Sequence, residues 1–559
     1  MKKFEVFFDR FLADYYAAHP DVATHCGFHD FDSQLPDFSC AGISRDVTRL
    51  RSALSQLKRL RPSRQPGKPD AVSPQFNLDL QLTQQTLEAA LFNQEILRPW
   101  EWNPNFYNER LFQAIFLLIR RDFAPLERRV QSLIERERQI PDVLRAAEKQ
   151  LKNVPQMVAR LAVAHCDGTI NFLKHSLPRS VHALKNPEWK ARFETANAGA
   201  VAAFQRYGGF IRERLLPKGR TSFALGEDLY CRKLAVDELV ELPLDFLLAQ
   251  AEGSLEEHEE EMKRVGALIH PRRKPDQILE NMTADHPGAG RLIASTTGVL
   301  NRLRTFLRTH NIVSLPPSKH KPHDNCTVEE SPECLRELTF ASLDIPGPFE
   351  RKANDYYYYV TLPDPRWTRA QQEQHLRFFS RHLILTTSIH EAYPGHLVHF
   401  RWVNRHPSKA RRMFGAISHV EGWAHYCEQM MIEEGFGNSD PLLHLAQLHE
   451  AQMRLCRFIA GIRMHTRGMT FEQAKNLFIR GAHTQPLNAE REAKRGIVDP
   501  TYIVYTLGKM QFLRLREDLQ KKWGPKFSLK RFHNNCIQNG FPPIPLLREL
   551  LLNDRRAVV

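Results

Sequence analysis

The stretch 390-HEAYPGH-396 places a His-Glu pair six residues ahead of a second histidine, with Pro-Gly between them. Helical metal sites usually space such histidines as HExxH, four residues apart on one face. Residues of an ideal helix turn by about 100° each, so positions six apart diverge. An unbroken helix would therefore point His396 away from His390. Pro394 forbids that helix, because it brings no N–H and its ring clashes with the carbonyl four residues back, that of His390. Gly395 can take whatever backbone path the distortion demands. The expectation is a helix bulged at Pro-Gly, with His396 swung back beside His390. The competing reading is a pair of structural histidines around a turn, since the chain has 25 histidines.

A second stretch favours the metal. In 421-EGWAHYCEQMM-431, Glu421, His425 and Glu428 fall at i, i+4 and i+7 on one helical face. Helical zinc hydrolases often draw a third ligand, a glutamate, from a helix that follows the histidine pair. His390, His396 and Glu421 with one position left open form a catalytic rather than a closed structural zinc set. The same donors also accept cobalt or manganese. His425 or Glu428 would then hydrogen-bond a ligating imidazole from behind.

Working outward, the 559-residue chain is 42% hydrophobic and 25% charged, as in ordinary globular proteins. No segment has the roughly 18 uninterrupted apolar residues of a membrane helix. The N-terminal MKKFEVFFDRFLADYY starts with lysines, as a signal peptide would. Its acids interrupt any apolar core, and Phe4, Phe7, Phe8, Phe11, Leu12 and Tyr15 fit an amphipathic helix of the fold. The nine cysteines are scattered, odd in number and without CxxC, which suits a reducing, cytoplasmic setting. The net charge of +14 is spread among acids along helical stretches. Its densest runs, 57-LKRLRPSR-64 and 405-RHPSKARR-412, lack interleaved aromatics, so no nucleic-acid or membrane partner is expected. The sequence carries no signal for an oligomeric state.

Apolar spacing of three and four dominates, as in 109–121, 128–139 and 442–465, and predicts a mainly α protein. One strand is expected at 355-DYYYYVTLP-363, either half-buried or lining a peptide-binding edge. Polar, Pro-rich loops are expected near 62–74 and 314–326. Neither reads as a long linker, so residues 1–559 are taken as one two-lobed domain with its metal-site region at 380–510. Walker, Rossmann and GxSxG motifs are absent from the sequence.

With these motifs in order, the chain resembles the domain-of-unknown-function family 885, a group of bacterial proteins regarded as metallopeptidases. The resemblance rests on HEAYPGH and 421-EGWAHYCE-428, with flanking blocks at 20–39, 340–365 and 495-RGIVDPTYIVYTLGKM-510. It implies a helical zincin-like fold, similar in plan to neurolysin and angiotensin-converting enzyme, with a deep cleft and a small β element. Two positions depart from the family pattern: Leu397 stands where a further histidine is common, with His399 two residues on, and His425 stands where an apolar residue is common.

For peptide hydrolysis the site needs a general base and a donor for the oxyanion. Glu391, next to His390, is the candidate base. The donor candidates are Tyr505, which with Gly508 matches the family, and His465. Tyr502 and Arg495 are candidates for substrate binding, Arg495 through a bidentate grip on a carboxylate or else in an internal salt bridge. The expected function is a zinc-dependent peptidase acting on short peptides. The alternative is a non-catalytic basic binding protein with a vestigial metal site.

Overall fold

The structure is a computed structural model that describes residues 2–60, 73–317, 326–332, 336 and 340–559. Most of each expected loop, 62–74 and 314–326, lies outside the described residues. The chain divides into two compact units. One comprises Met1–Phe223, Pro332–Leu338 and Pro346–Asn354; the other comprises Ala224–Ser331, Thr339–Ile345 and Asp355–Val559.

The first unit is helical. Its N-terminal helix, Lys2–Ala18, buries Phe4, Phe8, Phe11 and Leu12, so the amphipathic reading of this segment holds. The next helix, Pro20–Cys26, is bound to the segment Pro346–Asn354. The Phe349 amide donates to the Cys26 carbonyl at 2.9 Å, and the His29 ring bridges Asp32 at 3.0 Å and Glu350 at 2.9 Å. That imidazole also stacks on Phe123, centroid to centroid 3.7 Å. Burial alone would lower the His29 pKa, but the two carboxylates outweigh it and raise it to about 9.

In the second unit, six helices build the surroundings of the motifs: α1 (Arg381–Glu391), α2 (His396–Val403), α3 (Ile417–Glu433), α4 (Pro441–Thr466), α5 (Pro486–Val498) and α6 (Val504–Trp523). Ser380 caps the start of α1 and Asp440 that of α4, each accepting a backbone N–H of the first turn. A three-stranded sheet has the order β1 (Cys326–Glu330), β3 (Tyr356–Val360), β2 (Ala341–Asp344). β3 runs parallel to β1 and antiparallel to β2. The tyrosine run is therefore the central strand, with both backbone edges engaged. It cannot offer the peptide-binding edge, and the half-buried strand is the reading that stands.

The core of this unit gathers on α3, where Trp423, Tyr426, Cys427, Met430 and Met431 are completely buried with Phe512 and Leu515 of α6. α3 and α6 cross at bare backbone. A Cβ on Gly422 would lie 2.4 Å from Cα of Gly508, and one on Gly508 would lie 1.9 Å from the Ser418 carbonyl oxygen. Only glycine at both positions permits this approach.

Candidate metal centre

His390 lies in the last turn of α1, which ends at Glu391. The chain then doubles back over the helix end. The Gly395 N–H donates to the Ile389 carbonyl at 3.0 Å, and a Cβ on Gly395 would sit 1.8 Å from the His390 carbonyl oxygen. The Pro394 carbonyl accepts a hydrogen bond from Trp423 Nε1 at 3.0 Å. His396 then opens a new helix, α2. The expected bulge is thus a complete break, and the expected consequence follows from it. The two imidazoles meet at right angles, their centroids 4.8 Å apart.

Glu421, in the second turn of α3, faces both rings. Its Oε2 is 3.4 Å from His390 Nε2 and 3.4 Å from His396 Nε2. Ligands held ~2.1 Å from a tetrahedral ion lie about 3.4 Å from one another, and both of these separations match that spacing. Donor atoms of His390, Glu391 and His396 all lie within 4.8 Å of each other, which places the Glu391 carboxylate beside the triad. Both carboxylates are thus candidates for a third ligand, Glu421 by its 3.4 Å approach to both nitrogens and Glu391 by its place in the same cluster.

The electrostatics suit a cation. Burial works against ionisation of Glu421, but His396 and His390 outweigh it and hold the carboxyl well below its usual range. His390, buried and thereby pulled down, is raised to about 9 by Glu421 and Glu428. Two carboxylates thus press on one imidazole, and a divalent ion would answer that negative charge.

Behind His390, its Nδ1 donates to Glu428 Oε1 at 2.6 Å. The other oxygen of Glu428 accepts from His425 Nδ1 at 3.1 Å. Of the two outer candidates on this face, Glu428 bonds His390 directly and His425 bonds Glu428. His399 is elsewhere: it is fully buried and bonded through Nε2 to the Gly540 carbonyl at 3.1 Å.

The remaining candidates divide. Tyr505, in the first turn of α6, is brought alongside α3 by the glycine crossing. Burial raises its pKa, and the charge of Glu421 adds to that rise. Its hydroxyl accepts a bond from Arg495 at 3.3 Å, and the guanidinium carbons of Arg454, Arg457 and Arg495 lie 5.8, 5.2 and 5.5 Å from its ring centre. Arg495 itself is paired with Asp499 at 3.2 Å, so the internal salt bridge is what forms. Tyr502 and His465 are packed in the core. Tyr502 is fully buried, packed where Gly461 and Gly496 leave room for its ring. His465 is 1% exposed, and its Nε2 bonds the Gly496 carbonyl at 2.7 Å. Burial lowers its pKa to about 4, as for a histidine packed in the core.

Two histidines and a glutamate converging from three helices, with a second carboxylate beside them, define a mainly helical protein with a catalytic-type candidate metal centre. The chain belongs to the family of bacterial proteins of unknown function called DUF885, whose model matches residues 20–551. No curated protein matches it. Two similar solved structures are described as putative lipoproteins. The one from Shewanella oneidensis, of unknown function, is 26% identical with a TM-score of 0.81, covering 98% of this chain and 99% of its own. The one from Colwellia psychrerythraea is 16% identical with a TM-score of 0.81, covering 99% and 98%, and shows the likeness of fold alone.

Proposed function

We propose that this chain is a zinc-dependent peptidase of zincin-like fold that hydrolyses amide bonds in short peptides. The observation that carries the reading is the pair of equal 3.4 Å approaches from Glu421 Oε2 to the Nε2 atoms of His390 and His396. Zinc, when bound by these three residues, supplies Lewis acidity toward a scissile carbonyl and makes water a competent nucleophile at neutral pH. The Glu391 carboxylate takes the proton of the attacking water and returns it to the leaving amine. Because the Tyr505 hydroxyl accepts from Arg495, its own proton remains to be donated to the oxyanion that develops on the carbonyl. The description of the Shewanella oneidensis structure as a putative lipoprotein supports a membrane-tethered site of action, whereas the cysteine usage supports a cytoplasmic one. Among the described residues, no helix is long and apolar enough to cross a membrane.

The test is metal analysis of the purified protein followed by a mixed peptide library digested with and without a chelator. The reading predicts stoichiometric zinc and cleavage that the chelator abolishes and zinc restores. Metal-free protein with no chelator-sensitive cleavage would leave the vestigial binding protein as the better account.

A further inference from the structure

A buried ionic network lies behind the metal cluster, centred on Arg454 of α4, a residue to which nothing in the motifs points. Arg454 is buried, 8% exposed, and its guanidinium grips two acids. One terminal nitrogen reaches Glu428 Oε1 at 3.0 Å; the other reaches Glu450 Oε2 at 3.0 Å and the Glu450 carbonyl at 2.9 Å. The nitrogen on Glu428 also lies 3.5 Å from His390 Nδ1. Glu428 Oε1 therefore accepts from Arg454 and His390 together, while its Oε2 is held by His425.

We infer that Arg454 is a positioning residue that sets zinc affinity, acting through Glu428 on the orientation of His390. The inference rests on the metal reading above. A carboxylate as buried as Glu428, 1% exposed, is tolerated only when fixed charge and hydrogen bonds compensate it, and Arg454 supplies the fixed charge. Held on both oxygens, Glu428 is locked to receive Nδ1–H of His390. That bond selects the tautomer whose Nε2 lone pair faces Glu421 and His396. His396 has no equivalent support: its Nδ1 is buried without a hydrogen-bond partner among the described residues. The ordering of the pair therefore depends on the His390 side, and so on Arg454.

The experiment is competition for Zn2+ between the full-length protein and a chromophoric chelator. Arg454→Met should weaken zinc binding by about 10- to 100-fold, the usual scale for outer partners of a ligating histidine. Arg454→Lys should recover part of the loss. Glu450→Gln keeps the contact between Arg454 and Glu428, and Arg516→Met removes a more exposed ion pair of equal length, 3.0 Å, with Glu433 further along α3. Both should stay within about threefold of the parent. Because Arg454 acts through Glu428, the double variant Arg454→Met/Glu428→Gln should be no weaker than Glu428→Gln alone. Melting of each metal-free variant reports whether it is folded. If Arg454→Met does not fold, the same cycle is run with Arg454→Lys. Parental affinity in a folded Arg454 variant, or losses that multiply in the double variant, would overturn the inference and leave the metal reading intact. A parent protein that binds no zinc would overturn both.

Discussion

Glu391 and Glu421 are both carboxylates beside the same two imidazoles, and the proposed function gives them different work. Glu421 meets both Nε2 atoms at 3.4 Å, whereas Glu391 stands next to the triad at the end of α1. Glu391→Gln should therefore keep zinc bound and lower turnover by about 100-fold or more, the scale of a general base. Glu421→Ala should lose zinc, measured as metal per chain after dialysis. Parental turnover in the first variant, or parental metal content in the second, would exchange or void these roles. These four residues were legible because their signals are local: a His-Glu pair, a helix breaker between two histidines, and a glutamate on an amphipathic face. The packing of Tyr502 and His465 against Gly496 was not legible, because it is a matter of tertiary structure alone. Arg454 gave no signal at all. Its partners in the site, Glu428 and His390, lie on other helices, and in an apolar-periodic helix such as α4 an arginine reads as solvated.

At the scale of elements, the site depends on two places where backbone meets backbone. Gly395 lets the chain double back over the end of α1, so Gly395→Val would drive a side chain into the His390 carbonyl. The expected outcome is a loss of about 1–3 kcal/mol in denaturant unfolding together with weakened zinc binding. Parental values for both would show that the break does not need glycine. Gly508→Ala should separate α6 from α3 and carry Tyr505 away from Glu421. Its signature is retained zinc with turnover lowered about 10- to 100-fold, in keeping with a displaced oxyanion donor. Loss of zinc with it would mean that the crossing shapes the ligands as well. Periodicity foresaw the helices at 109–121, 128–139 and 442–465, since three-and-four spacing is a property of each segment alone. It did not foresee β1 and β2, which are five and four residues long and become strands only by pairing with the tyrosine strand. Nor did it foresee that Pro-Gly ends one helix and starts another, because the Trp423 bond that fixes the Pro394 carbonyl comes from α3.

Across the whole molecule, stability should carry a pH signature from the first unit. His29 is raised to about 9 in the folded chain, above the ~6.5 of an unfolded histidine. Its contribution is then complete below about pH 6.5 and is lost as the pH rises through about 9, because the folded state holds the extra proton in that window. Unfolding free energies from urea titrations should fall over this range at a slope of at most about 1.4 kcal/mol per pH unit from this group. His29→Gln should remove that part of the fall; an unchanged slope would mean His29 is not charged between Asp32 and Glu350. The family blocks at 20–39 and 340–365 were visible in the sequence, but the pairing of their His29 and Glu350 was not, because 321 positions separate them. The central claim concerns the metal centre, and its most direct test is anomalous diffraction at the zinc edge from crystals of the full chain grown with zinc. The account predicts one strong peak ~2.0–2.2 Å from His390 Nε2, His396 Nε2 and Glu421 Oε2. A peak at other residues, or His396 turned away from His390 with no peak between them, would contradict it.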